Sequence, residues 1–289
     1  MIIDAHTHLW KIQNGTHNLK PVYSTQNGKS MFDGEVHQMM PPYMLDGENT
    51  AEMLISNMDY ACVNGAVVVQ EFMDGNQNEY LLSAKKKYPN RFKITSLYEE
   101  NRTTEFDGFD GIKLCSCKFK EQDLLKHIEV FKIANENNKF IAIDMADGDA
   151  QTSQLREIIE EFPNLKIAIG HFGMVTRNGW RKQIKLARNK NVFIESGGIT
   201  WLFNDEFYPY ASAVKAINEA ADICSFDKLM WGSDYPRTMV EITYKMSFDF
   251  ILKTKDISEK DKQKMLFENA KSFYDFNDFE EIKPIKNML

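Results

Sequence analysis

The sequence predicts a single-domain α/β protein, a (β/α)8 TIM barrel spanning residues 1–289 with a long loop insertion after strand 1. Three observations predict it. Eight short apolar runs, mostly β-branched, recur along the chain, and most precede a stretch of helical periodicity. Strands that alternate with helices pair in parallel. The length accommodates one such barrel, whose usual size is about 250 residues. No GxGxxG or GxxxxGK turn follows any of the runs, which disfavours the competing open doubly wound sheet.

Within the first ten residues, a short apolar run ends in Asp4-Ala5-His6-Thr7-His8. Residues 11–48 are rich in Gly, Asn, Pro and Met and keep no sustained period. A loop this long in a compact protein is functional or disordered. Its His17, Tyr23, Phe32, His37 and Tyr43 make it either an ordered lid over a site or a mobile loop with scattered sticky residues. Residues 49–52 read as a helix N-cap with Glu at the third helical position, and Asn64-Gly65 stops that helix. The β-branched run 66–71 fits a strand buried on both faces. A helix over 76–88 ends at Pro89 and a strand covers 91–99. The alternation then repeats as strand 111–115 and helix 122–137, strand 140–144 and helix 153–162, strand 166–171 and helix 181–190. Strand 192–195 precedes helix 209–225, and strand 228–234 precedes helix 241–253. A last helix over 258–274, capped by Ser258 and Asp261, belongs to a C-terminal segment 257–289.

Hydrophobic residues make up 43% of the chain and include 20 Phe, enough for a large core. Lys and Arg number 35 against 42 Asp and Glu, a net charge of −7. No basic patch points to nucleic acid, and modest negative charge mainly favours solubility. Cys62, Cys115, Cys117 and Cys224 form no CxxC pair, which argues for a reducing cytoplasm and against a disulfide framework. No run of about 18 apolar residues suggests a membrane span. The expected setting is cytoplasmic, with a small-molecule substrate and a homodimer as a candidate assembly.

A barrel of this kind carries its chemistry at the C-terminal ends of its strands. His6 and His8 end the first run, Glu71 the second, Asp144 the fifth, His171 the sixth, Glu195 the seventh and Asp234 the eighth, while Lys113 lies on the fourth. Alternate residues of a strand share a face, so Asp4, His6 and His8 should project together. Two imidazoles so spaced can share one metal ion; the alternative is a buried strand whose histidines are only hydrogen-bonded. Arg237 and Arg177 sit on loops facing this end, either gripping a carboxylate bidentately or solvated. Cys115 and Cys117 share the face of Lys113 and read as packing residues. Trp201, Phe203, Phe207, Tyr208 and Tyr210 form a substrate wall or a subunit contact.

Asp-Ala-His-Thr-His near the start, Gly170-His171-Phe172-Gly173, and Trp231-Gly232-Ser233-Asp234-Tyr235-Pro236 resemble motifs of the amidohydrolase superfamily. The resemblance is stronger to its amidohydrolase 2 branch, which contains sugar lactonases, related lactonases and nonoxidative decarboxylases. Phe162-Pro163-Asn164-Leu165-Lys166 and Phe267-Glu268-Asn269-Ala270 also resemble that branch, so the likeness covers nearly the whole chain. The resemblance implies a metal-dependent hydrolase with His6 and His8 as metal ligands. It makes His171 a further ligand or a substrate contact, and Asp234 a metal or water ligand that shuttles the proton. Three nitrogens, a carboxylate and one open position suit a catalytic zinc-like site. One divalent ion is implied, zinc first and manganese second, although some lactonase relatives work without metal. Asp144 stands where many members carry histidine. That tilts the reading from decarboxylase toward lactonase and leaves Asp144 to bind metal, substrate or a ligand histidine. Lys113 is expected to contact the substrate rather than to be carboxylated and bridge two metals. The expected reaction is hydrolysis of a small polar carbonyl compound, a lactone foremost. A decarboxylase on the same ligands and a catalytically silent binding barrel are the alternatives.

Overall fold

The structure, a computed structural model, describes residues 1–279 and 281–286; residues 280 and 287–289, in the C-terminal segment, lie outside the described residues. Twelve strands divide between two sheets. The first is built from β1 (Ile3–Thr7), β6 (Gly65–Val68), β7 (Phe92–Leu97), β8 (Gly111–Leu114), β9 (Phe140–Ile143), β10 (Ile167–Ile169), β11 (Val192–Glu195) and β12 (Leu229–Met230). These follow one another in chain order, all parallel. Beyond β12 the chain closes the sheet onto β1: Ala5 N donates to Trp231 O at 2.9 Å, Asp234 N to His6 O at 2.9 Å and His8 N to Tyr235 O at 2.8 Å. This is the expected (β/α)8 barrel.

Alternation within each strand sorts its side chains. Val67, Ala142, Ala168 and Met230 join Ile3 and Ala5 in one buried cluster. Their neighbours Val68, Ile141, Ile143, Ile167 and Leu229 pack in a second cluster with helix residues Leu54, Leu155 and Ile184. Burial on both faces is why these runs read as continuously apolar. Helices Asn78–Lys87, Ile128–Glu136, Thr152–Glu161, Trp180–Leu186, Ala211–Cys224 and Met246–Lys253 follow strands as expected, whereas β7 passes to β8 through a loop. Thr50 caps the helix Ala51–Ala61 by accepting from Met53 N. The last expected helix is interrupted: Glu259–Gln263 and Asn269–Phe273 flank a π-helical stretch, Lys264–Glu268. π-Turns sit inside helices as single wide turns, and here Met265 O accepts the Trp231 N–H at 2.9 Å.

The insertion is not the irregular loop expected. It forms an antiparallel sheet of β2 (Asn14–His17), β3 (Lys20–Ser24), β4 (Lys29–Phe32) and β5 (Glu35–Gln38), paired in chain order. The strands are four or five residues long, and β5 is exposed throughout. Half-buried strands announce themselves by alternating hydrophobicity; strands this exposed lack that signal. Trp10, Met40 and Met44 form a small core beneath the sheet. The Trp10 indole donates to Gly47 O at 3.0 Å. No helix among the described residues is long and apolar enough to cross a membrane.

Candidate active site

Past the apolar layer, the inward positions at the C-terminal ends turn polar: Lys113, Asp144 and Glu195 are all buried. Space for them comes from glycine. A Cβ on Gly170 would collide with Asp144 Oδ1 and lie 2.8 Å from Glu195 Oε1, and one on Gly232 would lie 2.7 Å from His6 Cβ. Three non-glycine residues of the cavity wall hold left-handed backbone, His171 at φ 49°, Met174 at φ 53° and Asp234 at φ 59°. Such conformations cost roughly 1–3 kcal/mol each and concentrate at functional sites.

His6 and His8 share a face, but Asp4 does not join them. β1 shifts register against β6 between Asp4 and Thr7, which breaks the two-residue alternation the sequence implied. The Asp4 carboxylate instead accepts from Ser233 N at 2.8 Å, the Tyr244 hydroxyl at 2.8 Å and His6 N at 3.1 Å. It ties β1 to the closing segment.

Each imidazole is oriented from behind. Glu195 Oε1 lies 2.7 Å from His6 Nδ1, and Asp74 Oδ2 lies 2.7 Å from His8 Nδ1. A carboxylate on Nδ1 leaves Nε2 to act as the donor atom toward the cavity. The two Nε2 atoms are 3.1 Å apart. Asp234 Oδ1 lies 3.2 Å from His8 Nε2 and 3.8 Å from His6 Nε2. It is buried without a hydrogen-bond partner, its approach to His8 falling outside hydrogen-bond geometry. Asp234 Oδ2 accepts the Trp201 indole N–H at 2.8 Å.

These three residues fit a metal ion. Their donor atoms lie within 4.8 Å of one another. Nitrogens about 2.0–2.1 Å from one tetrahedral zinc stand roughly 3.4 Å apart, close to the separation seen. Two facing ring nitrogens need a cation between them, a proton or a metal, and the unpartnered Asp234 oxygen supplies a third donor. Burial lowers the His6 pKa despite Glu195, favouring the neutral ring that a ligand requires, whereas Asp74 and Asp234 raise that of His8 against burial, so a metal there would displace a proton. Burial would raise the Asp234 carboxyl, but the adjacent His8, His171 and His6 rings hold it far below the usual carboxylate range.

His171 stands beside this group rather than in it. Its ring lies 4.7 Å from that of His6, centroid to centroid. Its Nδ1 faces Gly197 O at 2.9 Å and its Nε2 faces Asp144 Oδ2 at 3.6 Å. Against burial, Asp144 raises the His171 pKa to about 10. Asp144 also accepts from Lys113 Nζ at 2.6 Å. Lys113 is fully buried beneath the cavity and is not in its wall.

The cavity has a volume of about 350 Å³. Asp234, His171, Asp144 and Arg237 line it, with Trp201, Met73, Met145, Met174, Glu71 and Lys118. Arg237 donates to Asp74 Oδ1 at 2.6 Å. Arg177 lies outside the wall, more than half exposed, with Nε 3.4 Å from Asp147. Cys117 lines the cavity, while Cys115 is buried behind it. The inserted sheet flanks the mouth: Gln38 and Met39 share a cleft of about 420 Å³ with Trp201 and Arg237. Thr16 to Leu19 share one of about 740 Å³ with Cys117, Lys118 and Asp147.

Two residues escaped the sequence reading. Asp74 sits in a turn before Gly75, a pattern that signals only a turn. Lys118 lies beyond β8 in a 3-10 turn, off the strand register.

A closed parallel barrel whose strand ends gather two histidines and an aspartate on a cavity defines a class of barrel enzyme. The amidohydrolase family profile matches residues 3–276, and the chain belongs to that family. No curated protein matches it in sequence. Solved structures share the fold. A protein from Acinetobacter baumannii, assigned as a 2-pyrone-4,6-dicarboxylic acid hydrolase and crystallised with citric acid, is 20% identical; the match covers 95% of this chain and 99% of that one, with TM-score 0.68. An amidohydrolase from Burkholderia multivorans with bound zinc is 13% identical, covering 95% and 99%, with TM-score 0.67. A 5-carboxyvanillate decarboxylase from Novosphingobium aromaticivorans, complexed with manganese and 4-hydroxy-3-methoxy-5-nitrobenzoic acid, is 18% identical, covering 80% and 81%, with TM-score 0.56.

Proposed function

We propose that this amidohydrolase opens an acyl C–O bond in a small polar carbonyl compound, a lactone foremost, with water as the nucleophile. The observation that carries the reading is the juxtaposition of His6 Nε2, His8 Nε2 and the unpartnered Asp234 Oδ1, buried beneath the cavity that Asp234 lines. His6, His8 and Asp234 would hold one divalent ion, zinc in preference to manganese because nitrogen donors dominate. When bound, that ion supplies Lewis-acid activation of water and of the carbonyl oxygen.

The chain's own residues do the rest. Asp234 Oδ1 accepts a proton from the attacking water and returns it to the leaving oxygen. The Trp201 N–H bond to Oδ2 leaves Oδ1 as the oxygen turned toward His6 and His8. His171, which lines the cavity and is kept protonated by Asp144, favours the negative charge that grows on the carbonyl oxygen. Met73, Met145, Met174 and Trp201 exclude water from the bond being broken. The inserted sheet acts as a rim that restricts entry.

A decarboxylase on the same ligands would need stacked aromatics and a free arginine. Among the described residues Trp201 is the one aromatic in the cavity wall, and Arg237 is tied to Asp74. The test is elemental analysis of protein purified without chelator, followed by a pH-stat assay on a lactone panel and a CO2 assay on aromatic and enoic acids. Lactone opening that falls at least about 1,000-fold in Asp234→Asn, the order expected for losing the proton acceptor together with its ligand, supports the reading. CO2 release with no lactone opened would sink it.

A further inference from the structure

We propose that Glu71 sets the charge of the substrate. By occupying Lys118 and Arg237 with its own carboxylate, it reserves the cavity for uncharged carbonyl compounds and excludes carboxylated ones. This rests on the lactone-hydrolase reading and narrows it.

Among the described residues, Lys118 and Arg237 are the Lys and Arg side chains of the cavity wall, beside the His171 ring. Either could hold a substrate carboxylate. Both already face carboxylates. Lys118 Nζ is paired directly with Glu71 Oε1. The other Glu71 oxygen lies 3.6 Å from Arg237 Nη2, which also binds Asp74 Oδ1 at 2.6 Å. The other cations nearby also face carboxylates: Lys113 and His171 face Asp144 at 2.6 and 3.6 Å, and Arg177 faces Asp147 at 3.4 Å.

Glu71 is itself buried, so its charge is not diluted by solvent. Although burial would raise its pKa, Lys118 and Arg237 bring it below the usual value, and it is ionised at neutral pH. A tethered carboxylate competes at high effective concentration against one arriving from solution. A carboxylated ligand would have to displace Glu71 from both cations and leave it buried beside Asp74 without a counter-charge. An uncharged ligand meets no such penalty. The dicarboxylate named for the Acinetobacter baumannii protein is the kind of ligand this arrangement rejects.

The test uses full-length protein stripped of metal, so that a bound ion does not itself attract the carboxylate, and a matched pair of unreactive probes, isophthalate and isophthalamide, titrated calorimetrically. Wild type should bind isophthalamide more tightly than isophthalate. Glu71→Gln should raise isophthalate affinity about tenfold or more, the scale of a charge-assisted bond newly made, and leave isophthalamide within about threefold. Adding Lys118→Met to that variant should abolish the gain. Wild type binding isophthalate more tightly than isophthalamide overturns the proposal, as does a Glu71→Gln protein that gains no isophthalate affinity. A gain that survives Lys118→Met overturns it too. Circular dichroism confirms folding, and Glu71→Ala replaces the Gln variant if that one misfolds. Lactone opening by wild type is scored separately: its absence rejects the hydrolase reading, while the binding data still decide the role of Glu71.

Discussion

The carboxylates behind His6 and His8 decide which ring nitrogen each presents to the cavity. Glu195 also accepts from Gly197 N at 2.5 Å and His171 N at 3.2 Å, so one side chain orients a ring and two backbone segments. Asp74 holds both His8 and Arg237. Asp74→Asn keeps the shape and removes the charge. We expect it to weaken zinc binding about 10–100-fold, read by competition with a chromogenic chelator. His171 has a pH signature in protein stripped of metal. Its folded pKa, about 10, lies above the ordinary 6.5, so the folded state binds the extra proton between those values. The stabilisation is complete below 6.5 and is lost as pH rises through 10. Stability should therefore fall by up to about 1.4 kcal/mol per pH unit in that window. Urea titrations of wild type and His171→Gln test this; equal slopes for the two would refute the assignment.

The inserted sheet shows how an element can be stable with little of its own surface buried. A few anchors do the work. Trp10 and Asn49 form a backbone bridge with N···O distances of 2.9 Å each way. Asn49 Nδ2 reaches His8 O at 2.7 Å, linking the base of the insertion to the segment that carries His6 and His8. Gly15 N and its neighbours lie against the 72–75 turn, where a Cβ on Gly15 would strike the Phe72 and Met73 backbone. Trp10→Ala should cost about 3–5 kcal/mol locally, the usual loss for truncating a buried aromatic. The expected readout is early proteolytic cleavage within residues 11–48 while the barrel stays intact; cleavage no faster than in wild type would show that other contacts hold the sheet. The same irregularity of β1 that excludes Asp4 from the site gives Asp4 its structural task between Ser233 and Tyr244.

At the scale of the whole barrel, the candidate ligands come from opposite ends of the chain. His6 and His8 belong to its first strand region, and Asp234 follows its last. Backbone bonds between those same two segments close the barrel. An ion held there would bind only the folded form, so occupancy and global stability are linked. Zinc at about 1,000 times its Kd should add roughly 4 kcal/mol, seen as a rise in Tm by differential scanning calorimetry. His6→Ala should lose that rise. A zinc-independent Tm in wild type would argue against the His6, His8 and Asp234 site.

The repeating strand and helix signals, the residue types at strand ends and the family motifs were legible in the chain, because parallel barrel strands are buried on both faces and their periodicity is local. The same locality let Asp144, His171, Glu195 and Asp234 be placed at strand ends before any coordinates. The four-stranded insertion was not legible, because its strands are too short and exposed to alternate. Asp4 was misplaced because one irregular residue in β1 reverses the side-chain phase, which no pattern of residue types reveals. Asp74 and Lys118 went unnoticed because their roles depend on loops that return over the barrel mouth. Pairing was decided only by the tertiary structure. Lys113 sits beneath Asp144, Arg237 answers to Asp74 and Glu71, and Arg177 stays at the outer rim. Charge partners far apart in sequence are chosen by the closed geometry of the barrel, and a linear chain carries no record of which carboxylate will stand beside which cation.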